Sequence, residues 1–217
     1  MLKLLRAGLP LAALLFLSVA GYGGEPKTDA PRPEADPVKL SGRGDCATKA
    51  FPLADGLTTW TVSHEGRSNF KVHLIDDQGD EAALWVNEIG RHSGTRAGNV
   101  RKAGKYRLQV EADGGWSVTV AQPKPPRAST ESPQAFSGKG SSVSTFFSLR
   151  PGAHVIESAH KGKGVFRVKV LDARGVLVHE PAAFIGVYDG SKSVKIEEPG
   201  VYLVSVYADG DWTVSVD

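Results

Sequence analysis

The stretch VEADGGWSVTV, Val110 to Val120, returns near the C-terminus as VYADGDWTVSV, Val206 to Val216. With an offset of 96 residues, positions 41–121 align with positions 137–217 without a gap, and 24 of the 81 aligned residues are identical. Unrelated sequences of average composition share only about one residue in sixteen by chance. The 217-residue chain therefore contains a duplicated unit, and each copy is long enough to fold as a small domain.

Apolar and polar residues alternate within each copy. In the first copy, Tyr106, Leu108 and Val110 alternate with Arg107 and Gln109. This period of two is typical of β-strands with one face on a hydrophobic core. Nine of the 24 identical positions are glycines, which tolerate the positive φ of turns. Short strands separated by such turns predict an antiparallel β-sandwich for each copy, immunoglobulin-like or jelly-roll-like.

The repeat divides the chain into five segments. Residues 1–20 combine a basic start, an apolar run and small residues at a possible cleavage point, as in a secretory signal peptide. Residues 21–39 and 122–135 are rich in proline and poor in large apolar residues, so we expect a disordered tether and a flexible linker. The two sandwiches then span residues 40–121 and 136–217, and we expect them to unfold independently.

The charge balance bears on compartment and partners. Cleavage of the signal peptide removes Lys3 and Arg6 and no acid, which leaves 24 basic residues against 24 acidic ones. A neutral chain lacks the clustered positive charge that nucleic acids and anionic membranes attract. The signal peptide predicts an exported bacterial protein, which is either periplasmic or secreted to the cell surface. Neither a nucleic-acid partner nor membrane insertion of the mature chain is expected.

The sequence contains no motif that is typical of catalysis. G-x-S-x-G, H-E-x-x-H and phosphate-binding loops are all missing, so we predict a non-enzyme with no catalytic residue, metal ligand or cofactor. His64 and His160 occupy equivalent positions, and a hydrogen bond to a turn is favoured over a ligand role. Residues 76–80 are predicted to form a turn. A calcium site is the alternative, but it needs several converging carboxylates that the second copy lacks.

A set of core and turn residues recurs with the same spacing in both copies. It includes Phe70-x-Val72-x-Leu74-x-Asp76-x-x-Gly79 and Gly104-x-Tyr106-x-Leu108-x-Val110, with counterparts from Phe166 and Gly200. The Gly-x-Tyr pair is similar to the tyrosine corner of immunoglobulin-like sandwiches, in which the hydroxyl bonds nearby backbone. The whole set resembles the small β-sandwich modules of exported bacterial proteins, of the pre-peptidase C-terminal type. That resemblance implies an accessory role in surface attachment, substrate binding or secretion.

Positions that differ between the copies provide the candidate binding residues. Trp85 aligns with Pro181, and an exposed tryptophan is a platform for stacking on a sugar or a protein. Packing beneath a loop is the alternative. Val201, Leu203 and Tyr207 stand where the first copy has charged residues, and the alternation points them away from the sandwich core. Contiguous apolar surface of this kind marks an interface, unless a neighbouring strand or the linker covers it.

Three functional hypotheses follow from these observations. The favoured one is an exported, non-catalytic binding or adhesion module of the bacterial cell envelope, with a glycan or an envelope protein as partner. The alternative is a structural or assembly protein whose second sandwich docks on a neighbouring protein. A small hydrolase is the least supported, because nucleophile, base and metal are all missing from the sequence.

Overall fold

A computed structural model describes residues 36–127 and 129–217, which form two consecutive β-sandwiches. The predicted signal peptide and most of the predicted tether lie outside the described residues. Within the described ranges, no helix is long and apolar enough to cross a membrane.

The first sandwich is built from two sheets that face each other across one core. One sheet has the strand order β1-β9-β4-β7, and the other has the order β2-β8-β5-β6, with β3 also paired to β8. Large apolar side chains from both sheets, among them Trp60, Phe70 and Leu108, are fully buried between them. The strands are β1 Val38–Arg43, β2 Cys46–Ala47, β3 Phe51–Leu53, β4 Gly56–His64, β5 Asn69–Ile75, β6 Glu81–Ile89, β7 His92–Val100, β8 Gly104–Ala112 and β9 Gly115–Ala121.

The second sandwich repeats this topology. Its sheets have the orders β11-β19-β14-β17 and β10-β13-β18-β15-β16, with β12 also paired to β18. Its core includes Phe147, Ile156 and Phe166. The strands are β10 Thr130–Glu131, β11 Gln134–Lys139, β12 Ser142–Val143, β13 Phe147–Leu149, β14 Gly152–His160, β15 Val165–Asp172, β16 Leu177–Ile185, β17 Tyr188–Ile196, β18 Gly200–Tyr207 and β19 Asp211–Val216. The prediction of two tandem antiparallel β-sandwiches is confirmed.

The strands extend into the segments assigned to tether and linker. Strand β1 begins at Val38, and its first residues pair with the end of β9. Strand β10 pairs in parallel with β13, and β11 begins at Gln134, opposite Val216. Composition alone misses these pairings, because extended residues next to proline still offer backbone groups to an open sheet edge.

A tryptophan at the start of the last strand closes each sandwich. The Trp116 ring lies against Gly42, where an added Cβ would come within 2.5 Å of the ring, and its Nε1 donates to the Gly44 carbonyl at 3.0 Å. Trp212 makes the same contacts with Gly138 and with the Gly140 carbonyl. The repeated ADG-x-W segment thus fixes the first strand of each sandwich to its last strand.

The predicted tyrosine corners are confirmed. The Tyr106 hydroxyl donates to the Lys102 carbonyl at 2.6 Å, and the Tyr202 hydroxyl donates to the Glu198 carbonyl at 2.7 Å. Burial raises the pKa of both phenols, so they remain neutral donors at physiological pH.

The two sandwiches are in direct contact along strand β7. This strand lies at the edge of its sheet, and residues of the second sandwich accept hydrogen bonds from two of its backbone N–H groups. The Thr95 N–H donates to the Ser141 carbonyl at 2.9 Å, and the Ala97 N–H donates to the Ser205 hydroxyl at 3.4 Å. The sandwiches are thus joined by direct contacts in addition to the predicted linker, because an edge strand that lacks a partner gains backbone hydrogen bonds from a neighbouring face. These contacts favour coupled rather than independent unfolding.

An apolar cluster lies at the same junction. Leu57 of the first sandwich packs with Leu171 and Leu203 of the second, and each is at most 5% exposed. This cluster is separate from the two sandwich cores. The contact between the sandwiches therefore combines buried apolar surface with backbone hydrogen bonds.

A tight turn of the second sandwich reaches the first. Gly175 has a φ of 78°, and a Cβ at this position would lie 2.5 Å from the Gly98 carbonyl oxygen. The neighbouring Arg174 carbonyl accepts a 2.7 Å hydrogen bond from the Asn99 side chain. The equivalent Gly79 has a φ of 94° but faces open space. Glycine is required at both turns by φ, and at Gly175 also by the close approach of the backbones.

Strand β17 is the counterpart of β7 in the second sandwich, and its outer edge pairs with no strand in the described part of the chain. The alternation of β17 directs Lys192 to the same side as the buried Val194 and Ile196. The Lys192 ammonium donates to the Glu180 carbonyl on β16, at 3.4 Å. Lysine side chains at an open edge discourage pairing with other chains.

Candidate functional site

A cleft of about 530 Å³ opens between the two sandwiches, beside their junction. Strands β6 and β7 form one wall, and β15 and β18 form the other. Trp85 and Arg96 line the cleft from the first sandwich, whereas Arg167, Lys169 and Tyr207 line it from the second. The cleft therefore exists only because the two copies pack together, and it combines aromatic rings with cationic side chains.

Trp85 is half-buried at the open side of the first sandwich. One face of its ring stacks on Trp60, with centroids 4.6 Å apart and planes inclined by 20°. Its six-membered ring also lies against Gly98, where a Cβ would come within 2.8 Å. One face and one edge of the indole are therefore packed locally, as the alternative interpretation of Trp85 predicts. The rest of the side chain lines the cleft. A role of Trp85 in binding stays a prediction.

Tyr207 connects the second sandwich to the first through Glu88 and Arg96. Its hydroxyl donates to the Glu88 carboxylate at 2.8 Å, and the Arg96 guanidinium lies over its ring at 4.6 Å from the centroid. Arg96 forms an ion pair with Glu88 and also donates to the Trp85 carbonyl at 3.0 Å. Burial, followed by the hydrogen bond to Glu88, raises the pKa of the Tyr207 hydroxyl. These contacts hold the walls of the cleft at a fixed separation.

The cationic side chains of the second wall come from β15. Arg167 pairs in register with Tyr207, and Lys169 pairs with Ser205, so all four share one face of the sheet. Arg167 makes a two-pronged contact with the Glu180 carboxylate, at 2.8 and 3.3 Å. Lys169 is half-buried and, within the described residues, has no ion pair.

The predicted binding residues of β18 occupy different surroundings. Leu203 is buried in the apolar cluster at the junction, and Tyr207 lines the cleft. Val201 is half-buried and lines a separate depression that also includes His179 and Glu198. The structure therefore brings Trp85 and Tyr207 together and places Val201 elsewhere.

Sequence reasoning missed Arg96, Glu88, Arg167 and Lys169. They are ordinary charged residues in alternating strands, and nothing in their spacing distinguishes them from a solvated face. The register of the strand pairing provides a way to find two of them. If β15 pairs with β18, Arg167 and Lys169 lie on the same face as Leu203, for which the sequence predicts an interface.

The paired histidines have structural contacts. The ring Nδ1 of His64 lies 2.8 Å from the Gly90 carbonyl, and its Nε2 lies 3.3 Å from the Asp113 carboxylate. His160 repeats this arrangement with Gly186 and Asp209. The prediction of a hydrogen bond to a turn is confirmed, and neither histidine lines the cleft.

Each of these aspartates also binds a loop. Asp113 accepts hydrogen bonds from the backbone N–H groups of Arg67 and Ser68, at 2.9 and 3.1 Å, and these bonds hold the pKa of its carboxyl below the usual range. The histidine and the aspartate therefore tie together the loops at one end of each sandwich.

The acidic turn at residues 76–80 is held by its own backbone. The Asp76 carboxylate accepts hydrogen bonds from the N–H groups of Gln78 and Asp80, both at 2.9 Å. Asp172 has the same role in the second copy. The turn prediction is confirmed. Across residues 36–127 and 129–217, no group of three or more His, Cys, Asp or Glu side chains is arranged to hold a metal ion.

Comparisons with known proteins find similarity in fold only. No family model matches the chain, and no curated protein matches it. The resemblance to the pre-peptidase C-terminal type therefore remains a hypothesis.

Several solved structures are similar at low sequence identity. One is the M60 catalytic domain with the CBM51-1 and CBM51-2 domains from Clostridium perfringens ZmpB, at 9% identity and a TM-score of 0.28, with 81% of this chain and 34% of that chain covered. The present chain thus spans about a third of its length. The N-terminal CBM22-1-CBM22-2 tandem domain from Paenibacillus barcinonensis Xyn10C gives 10% identity and a TM-score of 0.25, with 77% and 81% covered. A fucolectin from striped bass serum, Morone saxatilis, gives 8% identity and a TM-score of 0.24, with 82% and 84% covered.

Proposed function

We propose that the protein is an exported, non-catalytic binding module of the bacterial cell envelope that holds a glycan in the cleft between its sandwiches. The observation that carries this proposal is the joint construction of the cleft, with Trp85 on one wall and Tyr207 on the other. Binding sites for small ligands are concave and combine aromatic surface with a few placed polar groups. The cleft has both kinds of group. Two of its lining residues, Arg96 and Tyr207, also contact each other across the junction.

The aromatic rings are suited to sugars because their positions are fixed. Trp85 is held by Trp60 and Gly98, and Tyr207 is held by Glu88 and Arg96. A ring that is already ordered loses little conformational entropy when a ligand packs against it. The apolar faces of a sugar ring can pack on such a surface, while its hydroxyl groups reach the donors of the opposite wall.

The proposal is tested by measuring saccharide binding to the purified mature protein. A panel of envelope oligosaccharides on a microarray, followed by calorimetric titration of those retained, should identify a ligand. Trp85→Leu is expected to weaken its binding at least about tenfold, because a central aromatic anchor contributes well over 1 kcal/mol.

Lys71→Ala is the matched control, since Lys71 pairs with Glu111 outside the cleft and occupies the position equivalent to Arg167. Circular dichroism and thermal melting must show that both variants remain folded. Failure of every saccharide to bind, or equal affinity of Trp85→Leu and the unchanged protein, would reject the cleft as a glycan site.

A second candidate function is supported by an apolar tip on the second sandwich. The β16–β17 hairpin exposes Phe184, Ile185 and Val187 by 50%, 72% and 70%, and Val165 lies beside Ile185 on β15. In the first copy only the isoleucine is retained as Ile89, and the other three positions are polar or charged. Apolar surface gained in one copy alone favours docking of the second sandwich on a neighbouring protein.

The test of this candidate places the polar residues of the first copy on the second. Val165→Asn, Phe184→Glu and Val187→Arg should leave the second sandwich folded, because the same fold already holds these residues at the same positions. A photo-crosslinking amino acid is placed at Lys161 on the adjoining loop. In cells, we expect this protein to form a discrete adduct with another protein, and we expect no such adduct from the triple variant. An adduct that persists in the triple variant, or none in either protein, would argue against docking through this tip.

A further inference from the structure

The charges around the cleft are unequal. Its walls contain three cationic side chains, Arg96, Arg167 and Lys169, and no carboxylate among the lining residues. Two of these cations are neutralised by acids just outside the lining. Arg96 is paired with Glu88, and Arg167 is paired with Glu180. Lys169 is left as a positive charge without a counter-ion within the described residues.

Lys169 is held in a position from which it can contact a ligand. It lies in the middle of β15, between the hydrogen-bonded strands β16 and β18, and directly opposite Ser205. The residue as a whole is half-buried in the wall of the cleft. Hydrogen bonds between an ammonium and an anion gain strength when water is partly excluded, and they are about twice as strong as bonds between neutral groups.

In the part of the chain that the structure describes, an unpaired basic residue at this position of the sheet is found in the second copy and not in the first. The first copy has His73 at the equivalent site, where it lies 2.8 Å from the Glu81 carboxylate and 3.7 Å from that of Glu111. The second copy has Leu177 and Tyr207 in place of these two acids. The basic residue of the second copy therefore lacks the two acidic partners that its counterpart in the first copy has.

From this juxtaposition we infer that the glycan of the proposed function is an acidic one, whose sugar carboxylate forms an ion pair with Lys169. This inference rests on the proposed function, since it assigns the ligand class of the same cleft. A single unpaired ammonium matches a single negative charge, whereas phosphate and sulfate groups are bound best by several converging donors. The guanidinium of Arg167, on the same face, offers its unused N–H groups to the neighbouring hydroxyls of the sugar.

The inference is tested with a matched pair of ligands, an oligogalacturonate and the same oligosaccharide with its carboxylates reduced to alcohols. The oligogalacturonate should bind at least about tenfold more tightly than the reduced form, and its affinity should fall as salt is raised. Lys169→Ala should remove that preference, because it weakens binding of the oligogalacturonate far more than binding of the reduced form. Lys169→His, which places the residue of the first copy on the second, should weaken the preference at pH 8, where the imidazole is neutral.

Two further arms separate the possible outcomes. Lys71→Ala must retain the preference, because this cation lies outside the cleft. Equal binding of the two ligands, or an unchanged preference in Lys169→Ala, would overturn the inference while the proposed function stands. Tighter binding of a phosphorylated oligosaccharide than of the oligogalacturonate would overturn the choice of carboxylate. If neither member of the pair binds while the panel yields a neutral saccharide, the inference is overturned and the proposed function stands. If the saccharide panel also fails, it is the proposed function that fails.

Discussion

Trp212→Ala is expected to lower the free energy of unfolding of the second sandwich by about 3–5 kcal/mol. The ring fills the space above Gly138 between the first and last strands, and its Nε1 donates to the Gly140 carbonyl at 2.8 Å. Truncation leaves a cavity and also leaves that carbonyl without its partner. Since a domain of this size is stable by only about 5–15 kcal/mol, the loss is a large fraction of the total.

Urea denaturation followed by far-ultraviolet circular dichroism measures this effect. Thr213→Ala is the matched control, because its side chain is exposed on the same strand and should change stability by less than about 0.5 kcal/mol. Because the sandwiches share a buried junction, Trp212→Ala should also shift the unfolding of the first sandwich. A first sandwich that unfolds at an unchanged urea concentration would show that the junction contributes no stability.

The double change Leu203→Arg with Tyr207→Glu is expected to separate the sandwiches while leaving each one folded. Leu203 is buried against Leu57 and Leu171, and its loss forfeits about 1.5–3 kcal/mol of apolar burial. The new arginine would lie unpaired in that cluster, and the new glutamate would face Glu88. Arginine and glutamate occupy the same two positions in the first copy, so the strand itself tolerates them.

Small-angle X-ray scattering should show a larger radius of gyration for this variant, and its thermal unfolding should divide into two transitions. Gly175→Ala provides an independent route to the same result, because its Cβ would meet the Gly98 backbone, whereas Gly79→Ala meets nothing and controls for the strain of positive φ. Unfolding of the second sandwich in the double variant would show that β18 is needed on both faces for the fold itself.

The fold could be predicted from the sequence because its determinants are local and occur twice. Alternation along each strand, turn glycines and the ADG-x-W segment mark the core face and the hairpins in both copies. The tyrosine corners and the acidic turns followed from the same reasoning, since each is formed by residues within four positions of one another.

The candidate site could be predicted only in part, because it depends on how the copies pack. The apolar residues of β18 indicated an interface, but no local pattern shows that β7 is what they cover. Trp85 stood out because its counterpart is a proline, yet its stacking on Trp60 depends on two strands from opposite sheets. The cations of the cleft could be found only through the pairing of β15 with β18, because their spacing along each strand is that of an ordinary solvated face.

The junction also bears on how copies of this chain can associate. It is a head-to-tail contact, in which the edge of one sandwich meets the face of the next, and contacts of that type generate open-ended fibres when they repeat. Repetition between molecules would bring the edge of β17 against the face of a first sandwich. That face has the charged Arg107 and Glu111 at the positions of Leu203 and Tyr207. We therefore expect the edge of β17 to find no matching apolar face on another copy of this chain, which confines the junction to the contact within one molecule.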